Sequence, residues 1–160
     1  PMTFTIRAAS PSDAPVIAGY NSAMALETEG KDLDPQLIGP GVTNLLADPG
    51  RGRYWVAEAA GRVIGQLMIT YEWSDWRNGN VWWIQSVYVH PEWRRHGVFT
   101  ALYQHVQSLA AAAPDVIGLR LYVEENNVRA QQTYETLGMM RPNYLVMEAM
   151  FGSTPDETEN

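Results

Sequence analysis

Apolar and polar residues alternate along Phe4-Thr5-Ile6-Arg7-Ala8, the period of a half-buried strand. Ser10-Pro11-Ser12-Asp13 follows with helix-start chemistry, ahead of Val16, Ile17, Tyr20 and Met24 at helical spacing. Asp34-Pro35 predicts a second helix carrying Leu37, Ile38, Val42, Leu45 and Leu46, kinked or broken at Gly39-Pro40-Gly41 and stopped by Asp48-Pro49-Gly50. Strands at 54–58 and 63–71 flank a Gly61-Arg62 turn as an antiparallel hairpin, and a turn at Trp76-Arg77-Asn78-Gly79-Asn80 leads into a third strand at 81–89. Phe99, Leu102, Val106 and Leu109 then predict a helix from Arg95 or His96 to about Ala112, ended by Ala113-Pro114. A buried strand at 116–123, a helix from Asn126 or Asn127 to Leu137 closed by Gly138, and a last strand at 144–151 complete the order. Such an order describes a mixed sheet covered by helices. No repeat or linker divides it, so one domain over 1–151 is expected, with an acidic, frayed tail at 152–160.

Charge narrows the partners. Among 160 residues, 18 acidic side chains oppose 11 basic ones, for a net charge of −7. Nucleic acid and anionic membrane surfaces call for a broad basic field, which this chain lacks. With no cysteine, disulfides, thiolate nucleophiles and cysteine-based metal sites are excluded. His90, His96 and His105 have no metal-ligand spacing and read as surface residues, and no metal is expected. No apolar run approaches the roughly 20 residues of a membrane span, and the N-terminus lacks a targeting pattern, so a cytoplasmic protein is expected. Pro1 ahead of Met2 reads as a remnant of a removed tag rather than a catalytic amine.

Against the acidic background, Val89-His90-Pro91-Glu92-Trp93-Arg94-Arg95-His96-Gly97-Val98-Phe99-Thr100 gathers two arginines and two histidines at a strand-to-helix junction. A helix start exposes unpaired backbone N–H groups and a partial positive charge, and glycine lets a phosphate approach the backbone. On this segment alone, an ordinary basic turn that eases the chain into a helix fits equally well.

Two motifs together resemble those of the GNAT superfamily of N-acetyltransferases. Arg94-x-x-Gly97, after Ser86-Val87-Tyr88-Val89, is similar to its acyl-CoA pyrophosphate motif, Gln/Arg-x-x-Gly-x-Gly/Ala. Asn127-Val128-Arg129-Ala130-Gln131-Gln132-Thr133-Tyr134-Glu135-Thr136-Leu137-Gly138 resembles its Asn-x-x-Ala-x-x-x-Tyr-x-x-x-Gly helix. Phe99 departs from the Gly/Ala position, and its spacing with Leu102 and Val106 aims it into the core.

The resemblance implies an α/β (α+β) fold: a GNAT-like mixed, mostly antiparallel sheet of about six to seven strands flanked by about four helices. It implies acetyl-CoA as cosubstrate and direct attack by a primary amine in a ternary complex, without a covalent acyl-enzyme. Val87, Tyr88 and Val89 would run along the pantetheine. Arg94, Arg95, His96, Gly97, Val98, Phe99 and Thr100 would surround the pyrophosphate, with Asn127 and Tyr134 also at the cofactor. Tyr134 aligns with the tyrosine that protonates the departing thiolate, a transfer between a thiol of pKa about 8.5 and a phenol of about 10. Packing for Tyr134 and helix capping for Asn127 are the plainer alternatives.

A base is harder to place, because Trp82-Trp83-Ile84-Gln85-Ser86 contains no carboxylate. Glu72, Glu27, Glu29 or a water chain are the candidates. Tryptophans near Glu72 and Asp75 suit a cationic acceptor, a small-molecule or peptidic amine. Dimers are frequent in the superfamily, so a homodimer is compatible. A noncatalytic acyl-CoA sensor of the same fold, and an interaction domain that binds no nucleotide, are the rival readings.

Overall fold

β1 (Thr5–Ala8), β2 (Arg53–Ala59), β3 (Arg62–Ser74) and β4 (Gly79–Val89) form consecutive antiparallel neighbours in the computed structural model, which describes residues 2–152. The β2–β3 turn is tight because Ala60 (φ 50°) and Gly61 (φ 77°) both adopt left-handed backbone, which matches the twist of a two-residue hairpin. β5 (Val116–Leu121) joins β4 in parallel, which requires a crossover, and α3 (Val98–Ala112) supplies it. α1 (Ala14–Glu29) and α2 (Pro35–Ala47) lie between β1 and β2 in sequence, and α4 (Val128–Thr136) follows β5. Residues 2–122 form one compact unit and 123–152 belong to a second.

Alternation along the strands gives the first unit two packed faces. Tyr54, Val56 and Val63 meet Ile17 of α1 and Val42 of α2, with Met68 packed against them. On the opposite face, Trp55 stacks on Trp82 and meets His105 of α3. A Cβ on Gly65 would stand 2.8 Å from Val98 Cγ1, so glycine there lets the first turn of α3 sit close on the sheet.

Several sequence expectations change. α2 runs through Pro40 without a break. The proline lies inside the helix, past its first turn, at the cost of the bond to the Gln36 carbonyl, and Asp34 caps the start by accepting from the Gln36 N–H at 2.9 Å. α3 is rotated by one position from the expected stripe: Val98, Leu102, Tyr103, Val106 and Ala110 are buried, while Leu109 is exposed and Phe99 is half-buried beside Tyr103. Its apolar face is wide, and the sheet selects which part of it is covered.

Five strands form among the described residues, not six to seven, because 144–151 forms none. Tyr144, Leu145, Met147 and Phe151 are exposed. Period-two patterning supplies propensity but no ladder, and a strand needs a neighbour for its N–H and C=O groups. All but Gly152 of the expected tail lies outside the described residues.

The N-terminal elements are tied by charge. Arg7 of β1 donates to both carboxylate oxygens of Asp13, at 2.8 and 2.9 Å, and to Glu58 of β2 at 2.9 Å. Asp13 also accepts from the Ser10 N–H at 2.7 Å. The Arg7 guanidinium, then the Ser10 N–H, hold the Asp13 carboxyl below its usual range against an opposing effect of burial. Its stabilisation is therefore complete above the unfolded value of about 3.9 and is lost as pH falls through the lower folded value. Asp13→Asn should lower stability by about 1–3 kcal/mol at pH 7, a figure discounted for the part-exposed Arg7. The gap between variant and parent should begin to narrow below about pH 3.9 and close as pH falls through the lower folded value, as read by urea unfolding across pH.

Candidate active site

β5 pairs with β4 only from Asn80↔Val116 to Ile84↔Leu121, whereas β4 continues to Val89. Among the described residues no strand pairs with that side of 85–89. The backbone there is distorted as well. Gln66↔Tyr88 and Met68↔Gln85 leave Ser86 and Val87 together opposite Leu67, and Ser86 takes φ 50°. Such a bulge re-aims backbone groups at an open edge.

β4 then runs into a short 3-10 turn, Pro91–Trp93, and the basic segment. Arg95 (φ 66°) and Gly97 (φ 78°) are both left-handed, and Gly97 is the N-cap of α3. Left-handed residues next to a helix start turn successive N–H groups towards one concavity, a geometry suited to an anion. A Cβ on Gly97 would meet nothing within 4 Å, so the space above the backbone is open. Arg94, Arg95, His96 and Thr100 are exposed, Val98 is buried, and Phe99 is half-buried. Pyrophosphate needs N–H donors, positive charge and open access, and this turn provides all three.

Arg94 and Glu27 meet across the chain. The Arg94 guanidinium donates to Glu27 Oε2 at 2.8 Å and to the Val89 carbonyl at 3.1 Å, and the Tyr88 hydroxyl donates to Glu27 Oε1 at 2.8 Å. Arg94 lies over the Tyr88 ring, 5.3 Å from its centroid. The Arg94 guanidinium, then the Tyr88 hydroxyl, hold the Glu27 carboxyl below its ordinary range. Burial, followed by the Glu27 carboxylate, pushes the Tyr88 phenol up. Glu29 ends α1, just before the left-handed cap Gly30.

Further along the same face of β3 and β4, Glu72 accepts from Trp83 Nε1 at 3.3 Å and pairs with Arg120 of β5. Trp83 stacks at 4.5 Å on Tyr122, and Gln85 donates to Thr70 at 2.5 Å. The expected aromatic wall is thus split. Trp82 is buried on the α3 face, Trp83 lies on the other, and Trp73 and Trp76 are exposed.

Asn127 and Tyr134 belong to the second unit and share α4. Asn127 caps it, its Oδ1 accepting from the Ala130 N–H at 3.1 Å. Buried Gln131 fixes the preceding loop by donating to the carbonyls of Glu124 (3.1 Å) and Glu125 (2.8 Å), and Arg141 donates to its Oε1. Burial pushes the Tyr134 phenol up, so it stays protonated through neutral pH.

Sequence reading missed Arg120 and three buried polar residues, Asn21, Tyr54 and Gln66. The available signal was Gln66 itself, a lone polar residue within the apolar run Val63-Ile64-Gly65-Gln66-Leu67-Met68-Ile69.

The sequence model of the acetyltransferase (GNAT) family matches residues 21–139. A solved possible acetyltransferase from Clostridium difficile 630 is 44% identical, over 92% of this chain and 97% of that one, with a TM-score of 0.87. A predicted acetyltransferase with acetyl-CoA from Clostridium acetobutylicum is 17% identical over 92% and 96% of the two chains, with a TM-score of 0.76. A ribosomal-protein-alanine N-acetyltransferase from Brucella melitensis biovar Abortus 2308 is 17% identical over 94% and 100%, at 0.74. These last two similarities show the fold alone. None of the curated proteins matches the sequence.

Proposed function

Since the chain belongs to the acetyltransferase (GNAT) family of acetyl-CoA-dependent enzymes, we propose that it transfers an acetyl group from acetyl-CoA to a primary amine by direct attack. The observation that carries the site assignment is the open β4 edge running straight into the left-handed Gly97 turn. In this reading the N–H groups at the start of α3, with Arg94, Arg95 and His96, hold the pyrophosphate. Backbone groups along Val87, Tyr88 and Val89 hold the pantetheine, and one N–H supports charge developing on the thioester oxygen. Acetyl-CoA supplies the activated acyl group.

An alkyl ammonium of pKa about 10.4 must lose a proton before it can attack. Glu27, held by Arg94 and Tyr88, and Glu72, held by Arg120 and Trp83, both already carry cationic and hydrogen-bonding partners. We assign proton acceptance to water bordered by these carboxylates, above the floor formed by Trp83 and Gln85. By the family's arrangement Glu27 and Glu29 border the entering amine. Its nitrogen bonds to the acetyl carbon and releases a second proton to water, the carbon–sulfur bond breaks, and Tyr134 gives the departing thiolate a proton that it regains from water. Trp83, which reaches Glu72 through Nε1, and Tyr122 beside it support a cationic acceptor, small or peptidic.

Calorimetric titration with acetyl-CoA, followed by CoA release over a panel of amines and alcohols, tests this. Saturable binding is expected, with turnover on primary amines and the fastest rates on cationic ones. Absence of binding at millimolar acetyl-CoA overturns the reading. Binding without turnover on any amine marks a sensor instead, and turnover confined to anionic or hydroxyl compounds refutes the acceptor class.

A further inference from the structure

Ser86 raises a question that the acyl-transfer reading leaves open. A non-glycine residue in left-handed backbone costs on the order of 1–2 kcal/mol, and it persists only where its surroundings hold it. Gln66 of β3 donates from Nε2 to the Ser86 carbonyl at 3.1 Å and to Asn21 Oδ1 at 2.9 Å. Asn21 of α1 in turn donates from Nδ2 to the Tyr54 hydroxyl oxygen, on β2, at 3.0 Å. Asn21, Tyr54 and Gln66 are 5%, 4% and 0% exposed. Residues from three elements therefore converge, inside the core, on one distorted residue of a fourth.

One obligate acceptor sets the direction of these bonds. The Ser86 carbonyl can only accept, so the Gln66 atom facing it is nitrogen. The Asn21 atom facing that nitrogen must then be oxygen, and its own nitrogen points at Tyr54. Burial pushes the Tyr54 phenol up, while Asn21 and then Ser86 draw it partly back. The Ser86 carbonyl is thus held by Gln66, and Gln66 by Asn21.

Packing alone gives no reason for this arrangement. Polar side chains in a core are costly unless bonded, and apolar groups of the same shape would serve a sheet at least as well. Gln66 Oε1 is in fact buried with no hydrogen-bond partner among the described residues, a cost accepted here in the middle of β3. Asn21 interrupts the buried stripe of α1 between Ile17 and Ala25.

We propose that Asn21, Tyr54 and Gln66 are positioning residues that hold the Ser86 bulge, and through it orient the free backbone groups of 86–88 for acyl transfer. This rests on reading the open β4 edge as the thioester site. The test compares Gln66→Met, which keeps length and removes the donated bonds, and the milder Tyr54→Phe with the parent. Acetyl-CoA Kd should rise far less than kcat falls, because the Gly97 turn lies outside the network and only the pantetheine contacts of 87 and 88 depend on it. The kcat should fall about 10- to 100-fold for Gln66→Met and less for Tyr54→Phe, the scale of losing sub-ångström placement. Amide hydrogen exchange at 86–88 should quicken.

Unchanged kcat in either variant, folded by circular dichroism and with acetyl-CoA affinity retained, overturns the proposal, as does a loss of affinity in proportion to kcat. Should Gln66→Met fail to fold, Tyr54→Phe decides on the same readouts. A parent that binds no acetyl-CoA defeats the functional reading itself, a result distinct from an active parent whose variants keep its kcat.

Discussion

Gly97→Glu should weaken acetyl-CoA binding by at least about 100-fold while the protein remains folded. Two effects add. Gly97 sits at φ 78°, where a side chain costs about 1–2 kcal/mol, so the variant turn tends to leave the conformation that aims its N–H groups. The new Cβ projects into open space, so the carboxylate would stand where the pyrophosphate enters, and its repulsion supplies the larger part. Gly97→Ala separates the two, since it carries the backbone cost without the charge and should lose only about tenfold, equivalent to about 1.4 kcal/mol. Calorimetry on both variants, with thermal melts as the control for folding, checks this. Equal losses in the two would remove the electrostatic half of the argument, and parent-like affinity in Gly97→Glu would remove the turn from the binding site.

Tyr134→Phe should cut kcat by about 100-fold and leave acetyl-CoA affinity nearly unchanged, the scale of losing a general acid. The phenol is pushed up by burial and is therefore in its donating form throughout the neutral range. Giving a proton from a group above about 10 to a thiolate whose acid is near 8.5 is uphill by about 2 kcal/mol or more, which is acceptable once the carbon–sulfur bond is breaking. Parent activity should hold across neutral pH and decline only above the raised phenol pKa, whereas the variant should lack that alkaline limb. Rates from pH 6 to 10.5 for both proteins give the comparison. A variant with the parent's kcat would return Tyr134 to a packing role.

How far the sequence reaches differs from one part of the site to another. The Gly97 turn is legible because its demands are local: a strand end, a cluster of basic residues, a glycine and an apolar helix lie within a dozen positions. α4 is similar, as its Asn127 cap and Gly138 stop are written in a single short segment. The phase of α3 is less so. Its spacing allows both Phe99 and Val98 as inward residues, and contact with Gly65 of β3 favours Val98. The segment 144–151 marks the opposite limit, where a strand-like pattern acquires no strand partner among the described residues.

The carboxylates make the point most clearly. Glu27, Glu29 and Glu72 look equivalent as letters. Glu27 is set apart by Tyr88 and Arg94, 61 and 67 positions away, and Glu72 by Arg120, 48 positions away. The bonds that reach Ser86 come from Gln66, 20 positions distant, which is itself joined to Asn21 another 45 positions back.

By itself the sequence determined the order of the nine strands and helices that form among the described residues, the glycine turn ahead of α3 and the family motifs, because periodicity, capping and glycine conformation are properties of neighbouring residues. Only the tertiary structure decided which carboxylates carry partners, where β4 leaves β5 and what braces its bulge. Those outcomes depend on which distant side chains the sheet brings within hydrogen-bonding distance, and no local pattern records that.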